Sequence, residues 1–256
     1  MLDPNEIAVE FRDVTYCPTK QPLVSNLNFT VDRGEILVLL GRSGSGKTTT
    51  MKLINSLLTP TAGEVRVNGV PTNEWNPIKL RRNIGYVIQE TGLFPHFTVE
   101  RNIGLVPSLE AWKPKHIKTR VYELLHLLGL DPEQFAHRYP HELSGGQRQR
   151  IGVARALAID PPLMLMDEPF GALDPITRLE IQREFLRLQQ ELRKTIIFVT
   201  HDIQEAFTLA SRIGLMNQGK LVVLDTPAEF LKSQEPEARA FMQCLGGMAQ
   251  NNSLGS

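Results

Sequence analysis

The stretch Gly41-Arg42-Ser43-Gly44-Ser45-Gly46-Lys47-Thr48-Thr49 decides the fold of this chain. It follows an apolar run, residues 36–40, and precedes a helical pattern that starts near Lys47 and keeps its apolar spacing to Leu58. Its glycines let the backbone curl so that several N–H groups converge, and the following helix adds its unpaired N-terminal donors. Lys47 supplies a cation for outer phosphates and the Thr48 hydroxyl can hold Mg²⁺. In this context the stretch indicates a phosphate-binding loop (P-loop) rather than an ordinary glycine-rich turn.

The composition is that of one globular domain with subdomains. The 256 residues carry 28 basic and 28 acidic side chains, which argues against strong global attraction to nucleic acid or to an anionic bilayer. The apolar runs are far shorter than the roughly 18 residues that a membrane span requires. The N-terminus lacks the basic and apolar regions of a signal peptide, and Cys17 and Cys244 form no C-x-x-C pair. We therefore expect a protein that is soluble by itself in a reducing cytoplasm.

Strands are predicted on both sides of the P-loop. Alternating apolar and polar residues in Ile7–Tyr16, and again around Leu27 to Val31, indicate half-buried antiparallel strands. Tyr16 closes the first strand, where it can stack on a base or serve as an ordinary core or surface residue. The apolar run Thr195–Thr200 is typical of the middle of a parallel sheet. His201 follows it and either bonds a γ-phosphate or is a structural histidine tied to a carbonyl.

A helical region is predicted between two later strands. Gln89 follows the apolar strand at residues 84–88, and its side chain either caps that strand or reaches a metal or water beside the phosphates. The loop from Leu93 to Phe97 is rich in aromatic residues, which suits a docking surface for another chain or a loop that folds its aromatics inward. Asp131-Pro132-Glu133 predicts a helix start. The helical patterns that follow Phe97 predict a helical subdomain over about residues 90–160, inserted between strands of the main sheet.

A second glycine-rich helix start lies at Leu143-Ser144-Gly145-Gly146-Gln147. Ser144 and Gln147 fit a capping box, which places the helix N-terminus at Ser144. The two glycines leave backbone N–H groups uncovered, so the turn suits an anion site, with ordinary capping as the alternative. Because the P-loop already surrounds the phosphates, this helix start is best explained if it meets the nucleotide bound to another copy of the chain.

Two adjacent carboxylates, Asp167 and Glu168, end the apolar run at residues 163–166. Burying them is costly unless a positive group is near, and nucleotide-bound Mg²⁺ would serve. Asp167 then orients the shell of the metal, while Glu168 accepts a proton from water; solvated acids at a strand boundary are the alternative. Further along, Asp174-Pro175 leads into a predicted helix, and residues 213–216 and 221–224 predict a hairpin around Gly219. Thr226 to Glu229 predicts the start of a last helix, and residues 246–256 predict a loose end.

In chain order these features resemble the Walker A, Q-loop, signature, Walker B, D-loop and H-loop motifs of an ATP-binding-cassette (ABC) ATPase subunit, over residues 7–230. The resemblance implies an α/β P-loop NTPase core with a mainly parallel sheet, an antiparallel β subdomain and an inserted helical subdomain, over residues 1–235 with a tail at 236–256. It also implies two subunits paired head to tail around ATP and Mg²⁺. The resemblance implies that the catalytic residues are Glu168, His201, Lys47 and Gln89. It implies nucleotide contacts from Tyr16, Gly41 to Thr49, Gln89, Ser144 to Gln147, Asp174 and His201. The implied metal ligands are Thr48, Gln89 and Asp167.

A finer resemblance lies in Gln89-Glu-Thr-Gly-Leu-Phe-Pro-His-Phe-Thr-Val-Glu-Arg-Asn-Ile103 and Asp167-Glu-Pro-Phe-Gly-Ala-Leu-Asp-Pro-Ile-Thr-Arg178. These segments are similar to the ATPases of bacterial importers for quaternary amines such as glycine betaine, choline and carnitine. The resemblance implies integral-membrane permease partners, an indirect partner in a substrate-binding protein, no nucleic acid, and a peripheral place on the cytoplasmic face of the inner membrane. Because the sequence ends at Ser256, we expect no C-terminal regulatory module.

Within that class, amino acids, polyamines and sulfonates are the alternative solutes. A different class, the non-transport ABC ATPases that act on DNA or ribosomes, resembles two fused cassettes or one split by a long coiled coil. The sequence shows neither feature. A small-molecule P-loop kinase would leave Leu143 to Gln147 without a role.

Overall fold

A computed structural model describes residues 6–89, 92–171 and 173–251. Its described helices and strands are interspersed along the chain, which is typical of a protein of the α/β class. The strands are β1 (Ile7–Tyr16), β2 (Val24–Asp32), β3 (Ile36–Leu40), β4 (Ala62–Val67), β5 (Val70–Pro71), β6 (Ile84–Val87), β7 (Leu163–Asp167), β8 (Thr195–Thr200), β9 (Arg212–Asn217) and β10 (Lys220–Asp225). The helices are α1 (Lys47–Ile54), α2 (Pro77–Arg82), α3 (Val99–Ile103), α4 (Leu105–Leu109), α5 (Pro114–Leu127), α6 (Pro132–Phe135), α7 (Gly145–Leu157), α8 (Pro175–Leu192), α9 (Ile203–Leu209), α10 (Pro227–Phe230) and α11 (Pro236–Asn251), with a 3₁₀ turn at Pro140–Glu142.

The chain divides into two compact units, and the first comprises Met1–Leu80 and Thr195–Ser256. It holds an antiparallel sheet in the order β2-β1-β4-β5 and a group of strands in the order β10-β9-β3-β8. Within that group β3 pairs in parallel with both β8 and β9, and every residue of β3 and β8 is buried. A strand that is covered on both faces reads as a continuous apolar run, which is why these two were visible in the sequence.

The predicted strand pair and hairpin of the first unit are confirmed. β1 and β2 run antiparallel, with Phe11 opposite Phe29 and their rings stacked 4.4 Å apart. β9 and β10 form the hairpin that was expected around Gly219. α1 is shorter than the apolar spacing up to Leu58 indicates, because it ends at Ile54 and Ser56 takes a left-handed conformation, with φ of 54°.

The second unit, Arg81–Lys194, contains β6 and β7 as a parallel pair together with α3 to α8. The helix starts that the sequence predicts at Ser144, Asp131 and Asp174 are confirmed, since each side chain accepts a hydrogen bond from a backbone N–H of the first turn. Between residues 92 and 160 the described chain contains helices and turns and no strand. α7 packs against α3, α5 and β6, so it lies at the centre of this unit.

The C-terminal end differs from the prediction. α10 begins at Thr226 as expected, with the Thr226 hydroxyl accepting from Glu229 N, but it is not the last helix, because α11 follows and continues through the first part of the predicted loose end. The apolar residues Ala238, Phe241, Met242 and Leu245 are spaced for a helix, and the pair Gly246-Gly247 concealed that pattern. Residues 252–256 of the predicted tail lie outside the described residues.

Within the described part of the chain, no helix is both long enough and apolar enough to cross a membrane.

Candidate functional site

The P-loop occupies the turn between β3 and α1 in the first unit, as the sequence predicts. Gly44 and Gly46 have φ angles of 77° and 105°, which residues other than glycine rarely adopt. A Cβ on Gly46 would lie 2.9 Å from both Leu23 O and Val24 Cγ1. The loop therefore passes so close to the β2 region that its curvature depends on glycine at this position.

Lys47 is the first residue of α1, and its side chain turns back over the loop. Its Nζ donates hydrogen bonds to Gly41 O at 2.7 Å and Arg42 O at 2.9 Å, and the residue is only 5% exposed. Beside it, the buried Ser45 Oγ has no hydrogen-bond partner among the described residues. A buried ammonium and an unsatisfied hydroxyl at a helix N-terminus fit an anionic group such as a phosphate.

The other predicted P-loop contacts differ in exposure. Arg42, Ser43 and Gly44 are exposed, whereas Thr48 and Thr49 are half-buried on the first turn of α1. Arg42 Nε forms an ion pair with Glu237 Oε1 of α11 at 2.6 Å. The arginine that the sequence places in the phosphate loop is thus already held by a carboxylate from the C-terminal helix.

Tyr16 and His201 also belong to the first unit. Leu40 at the end of β3 is paired in register with Thr200 at the end of β8, so the P-loop and His201 leave the sheet at the same edge. His201 is exposed there, and Asp202 caps α9 by accepting from Gln204 N at 2.8 Å. Tyr16 is half-buried at the end of β1, where its carbonyl accepts from Leu23 N at 2.9 Å.

Gln89, Asp167 and Glu168 belong to the second unit, where β6 and β7 place them at one edge. Val87 is paired with Met166, and Gln89 Nε2 donates to Glu168 Oε2 at 3.3 Å. The structure therefore brings together two of the side chains that the sequence singles out 79 positions apart.

Asp167 is buried, at 9% exposure, and its charge affects a neighbour on β6. Burial, followed by the charge of Asp167, raises the pKa of Tyr86 to about 12. A phenol is neutral at pH 7 in any case, so the shift shows only that Tyr86 is desolvated and that the Asp167 carboxylate lies near it, while the low exposure of Asp167 itself shows that this carboxylate is desolvated. A desolvated carboxylate fits a divalent cation, since oxygen ligands are those that Mg²⁺ prefers.

Glu168 has an unusual backbone conformation. Its φ is 44°, in the left-handed region, and its carbonyl accepts from Gly171 N at 3.2 Å. A residue other than glycine in this region costs energy and persists where the surrounding structure fixes it, which is common at functional sites. The conformation turns the chain directly after β7.

The signature turn begins α7 with a complete capping box. Ser144 Oγ accepts from Gln147 N at 3.2 Å, and Gln147 Oε1 accepts from Ser144 N at 2.9 Å. A Cβ on Gly146 would lie 2.7 Å from Thr177 Cγ2, whereas one on Gly145 would find ordinary contact, 3.6 Å from Leu173 Cδ2. Close packing against α8 therefore accounts for Gly146, and this could not be derived from the motif.

Asp174 is exposed and caps α8, accepting from Ile176 N at 3.2 Å and Thr177 N at 3.1 Å. The hydrogen bonds from Thr177 hold the pKa of Asp174 below its usual value. Its structural role is therefore clear within this chain. Tyr86 and Arg155, which were not selected from the sequence, also lie in the second unit. Arg155 could have been noticed in the sequence because it is an arginine among the small and apolar residues of a mostly buried helix.

Similar proteins of known sequence and structure define the family of this chain. The family model described as "ABC transporter" matches residues 24–171. The choline transport ATP-binding protein OpuBA of Bacillus subtilis (strain 168) is 54% identical over 84% of this chain and 56% of its own length. The glycine betaine uptake system ATP-binding protein YehX of Escherichia coli (strain K12) is 48% identical over 87% of this chain and 72% of its own length.

Among solved structures, the ATP-binding cassette MJ0796, a dimer in a post-hydrolysis state bound to ADP and Pi, superposes with a TM-score of 0.76. It is 35% identical, and the match covers 86% of this chain and 98% of that one. The chain belongs to the ABC transporter family, which confirms the resemblance and the fold class inferred from the sequence. It spans about half of the length of OpuBA.

Proposed function

We propose that this protein hydrolyses ATP as the energy-coupling subunit of a bacterial ABC importer for quaternary amine osmoprotectants such as glycine betaine, choline or carnitine. The observation that carries hydrolysis is the contact of Gln89 with Glu168, 3.3 Å apart at the ends of parallel strands and next to the buried Asp167. A carboxylate beside a polar amide is the arrangement needed to hold and deprotonate an attacking water.

The P-loop is proposed to bind the phosphates through its backbone N–H groups and Lys47, with Tyr16 stacking on adenine. Thr48, Gln89 and Asp167 are the proposed Mg²⁺ ligands, and the metal supplies charge neutralisation at the phosphate oxygens when bound. Glu168 accepts the proton of the attacking water, and His201 donates a hydrogen bond to the γ-phosphate. The further proposed contacts to nucleotide are Gly41, Arg42, Ser43, Gly44, Ser45, Gly46, Thr49, Ser144, Gly145, Gly146, Gln147 and Asp174.

Two copies of the chain, or one copy and a close paralogue, are proposed to pair head to tail. The support is that Ser144 and Asp174 carry exposed side chains at helix starts, where a second molecule can reach them. MJ0796, which is similar to this chain, is a dimer bound to ADP and Pi, and this supports the pairing of two subunits. In this pairing the turn at Ser144 to Gln147 of one copy completes the nucleotide site of the other.

The loop at Leu93 to Phe97 is the proposed docking surface for integral-membrane permease subunits. Asn102 is fully buried and fixes this loop, with its Oδ1 accepting from Phe94 N at 2.8 Å and its Nδ2 donating to Phe94 O and Phe97 O. Phe94 is 41% exposed and lines a cavity of about 320 Å³ together with Ile88 and Leu105. A rigid loop that presents an aromatic side chain next to a cavity suits the binding of a protruding segment of another protein.

The names of the relatives support the proposed solute and location. OpuBA is named for choline transport and YehX for glycine betaine uptake, and both support a quaternary amine over an amino acid, a polyamine or a sulfonate. The subunit would then lie peripherally on the cytoplasmic face of the inner membrane and contact the substrate-binding protein only indirectly. Nucleic acid is not a proposed partner, since the charges of the chain balance.

The proposal is tested by reconstitution in liposomes with candidate permeases and binding proteins. We expect ATP-dependent uptake of labelled glycine betaine or choline, and phosphate release that rises when permease and solute are both present. Arginine, putrescine and taurine serve as control solutes, and DNA and ribosomes as control stimulants. Uptake of a control solute alone would move the assignment to the alternative class, and stimulation by nucleic acid alone would overturn the transport function.

A further inference from the structure

Arg155 joins the signature helix to the loop that follows Gln89. It lies near the C-terminal end of α7, and its Nη1 donates to Gly92 O at 2.6 Å. Burial lowers the pKa of Arg155, but a guanidinium remains charged at neutral pH, so this is a charge-assisted hydrogen bond in a partly desolvated place. The same side chain lines the cavity that Phe94 and Ile88 border.

Gly92 has little freedom to move its carbonyl away. Its φ is 53°, and a Cβ at this position would lie 2.3 Å from Ile88 Cδ1. The backbone at Gly92 therefore passes directly over Ile88, which is a conformation that glycine adopts without strain. Arg155 thus holds the Gly92 carbonyl, and the backbone that carries this carbonyl lies close to Ile88.

The segment before Gln89 is held by the same helix. A Cβ on Gly85 of β6 would lie 2.7 Å from Ala156 O. The backbones of β6 and α7 are therefore in close contact at Gly85, where no side chain separates them. α7 thus contacts the chain on both sides of Gln89, at Gly85 through Ala156 and at Gly92 through Arg155. Arg155 lies eleven residues after Ser144, which is roughly 16 Å along the helix axis. A single helix therefore connects the signature turn to the contacts with Gly85 and Gly92.

We propose that Arg155 is a positioning residue that makes the Gln89 segment move together with the signature helix. The inference rests on the proposed function, because it concerns how the docking of a permease segment at the cavity beside Phe94 changes the position of Gln89 and its contact with Glu168. When a permease segment displaces the loop at Gly92, Arg155 transmits that displacement to α7 and hence to Ser144. In the opposite direction, closure of a second copy on Ser144 sets the position of Gln89.

The decisive experiment compares Arg155→Met with Arg120→Met in the permease complex in liposomes. Arg120 is a matched control because it also donates to backbone carbonyls at the end of α7, to Ala158 O at 3.1 Å and Leu157 O at 3.0 Å, without contacting Gly92. We expect Arg155→Met to lower the permease-stimulated kcat about tenfold while KM for ATP changes less than about twofold. Arg155→Lys, which keeps a charged hydrogen-bond donor at the end of the side chain, should recover a large part of that rate.

Arg120→Met should retain stimulation by permease. Equal losses in both variants would mean that Arg155 serves only the stability of the helix, and a stimulated kcat in Arg155→Met within about twofold of wild type would overturn the proposal.

A second measurement needs no permease. Hydrogen exchange in the isolated protein is followed at the amides of Phe94 and Phe97, which are bonded to Asn102 Oδ1 and Phe94 O. We expect faster exchange in Arg155→Met and in Gly92→Ala, and wild-type exchange in Arg120→Met. Unchanged exchange in Arg155→Met contradicts the inference. If no permease stimulates the wild-type protein, the proposed function fails, and this exchange experiment still decides whether Arg155 positions the loop.

Discussion

Two helices of this protein begin at glycine-rich turns, and they satisfy their first backbone donors in opposite ways. α1 begins after Gly46, which has a left-handed conformation and provides no side-chain cap. α7 begins after Ser144, and a complete capping box occupies the amides of Ser144 and Gln147. α1 therefore begins without a side-chain cap, which suits a turn proposed to bind an anion, whereas α7 satisfies part of its own first turn.

This difference changes how the signature turn can be understood. A motif with two glycines suggests an open anion site like the P-loop, but in α7 one of those glycines is explained by packing against α8. What remains for a nucleotide on another copy is the exposed Ser144 side chain and the uncapped amides near Gly145. The turn before α1 thus depends on glycine conformations without a side-chain cap, while the turn before α7 is capped within its own chain and keeps the Ser144 side chain exposed.

The largest expected effect comes from Glu168→Gln, which tests whether the two turns meet on one ATP. Removing the proposed general base should lower turnover about 10² to 10⁴-fold, while ATP binding persists and an ATP-bound dimer accumulates. Phosphate release measures the rate, and size-exclusion chromatography with light scattering measures the dimer. Retention of more than about half of the activity would exclude Glu168 as the base.

The next effect comes from adding a methyl group to each turn. In Gly46→Ala the Cβ would approach Leu23 O at 2.9 Å with φ at 105°, so we expect ATP binding about tenfold weaker through strain of about 1–3 kcal/mol. The matched control is Gly145→Ala, where the new Cβ meets only ordinary contact. Isothermal titration with ATP measures both. Equal losses of ATP affinity in Gly46→Ala and Gly145→Ala would show that the two turns depend on glycine in the same way.

A smaller effect is expected for the cap itself. Ser144→Ala removes the acceptor for Gln147 N and should lower the free energy of unfolding by about 1 kcal/mol. Ser45→Ala is the control, because the Ser45 hydroxyl is buried without a partner among the described residues and its loss should not destabilise the protein. Urea unfolding checks both variants. Destabilisation by Ser45→Ala alone would reverse the comparison.

The smallest effect concerns the ion pair beside the P-loop. Glu237 places a negative charge 2.6 Å from Arg42 Nε, next to the donors of α1. Glu237→Gln should strengthen ATP binding about twofold at low salt, and the gain should fade near 0.5 M salt because exposed pairs are screened. Titration at two ionic strengths measures this, with Glu229→Gln, whose partner is the exposed Lys232, as control. A gain that persists at high salt would rule out the electrostatic explanation.

Local residue patterns were enough to predict most of the elements and much of the candidate site. The buried runs β3 and β8, the hairpin of β9 and β10 and the cap at Ser144 all depend on neighbouring residues. α11 was missed because Gly246 and Gly247 interrupt its apolar pattern, although the helix continues past them. The early end of α1 was missed because leucines at 57 and 58 keep the helical spacing after the backbone has left the helix.

The sequence by itself determined that the chain has a P-loop, a capped second helix start and two acids after a buried strand, because each is a short-range pattern of residue types. Only the tertiary structure decided that Gln89 lies 3.3 Å from Glu168, that Gly146 is required by α8, and that Arg155 holds Gly92. These contacts join residues far apart in the chain. They depend on strand register and on helix packing, which arise from the burial of the whole core and leave no local signature.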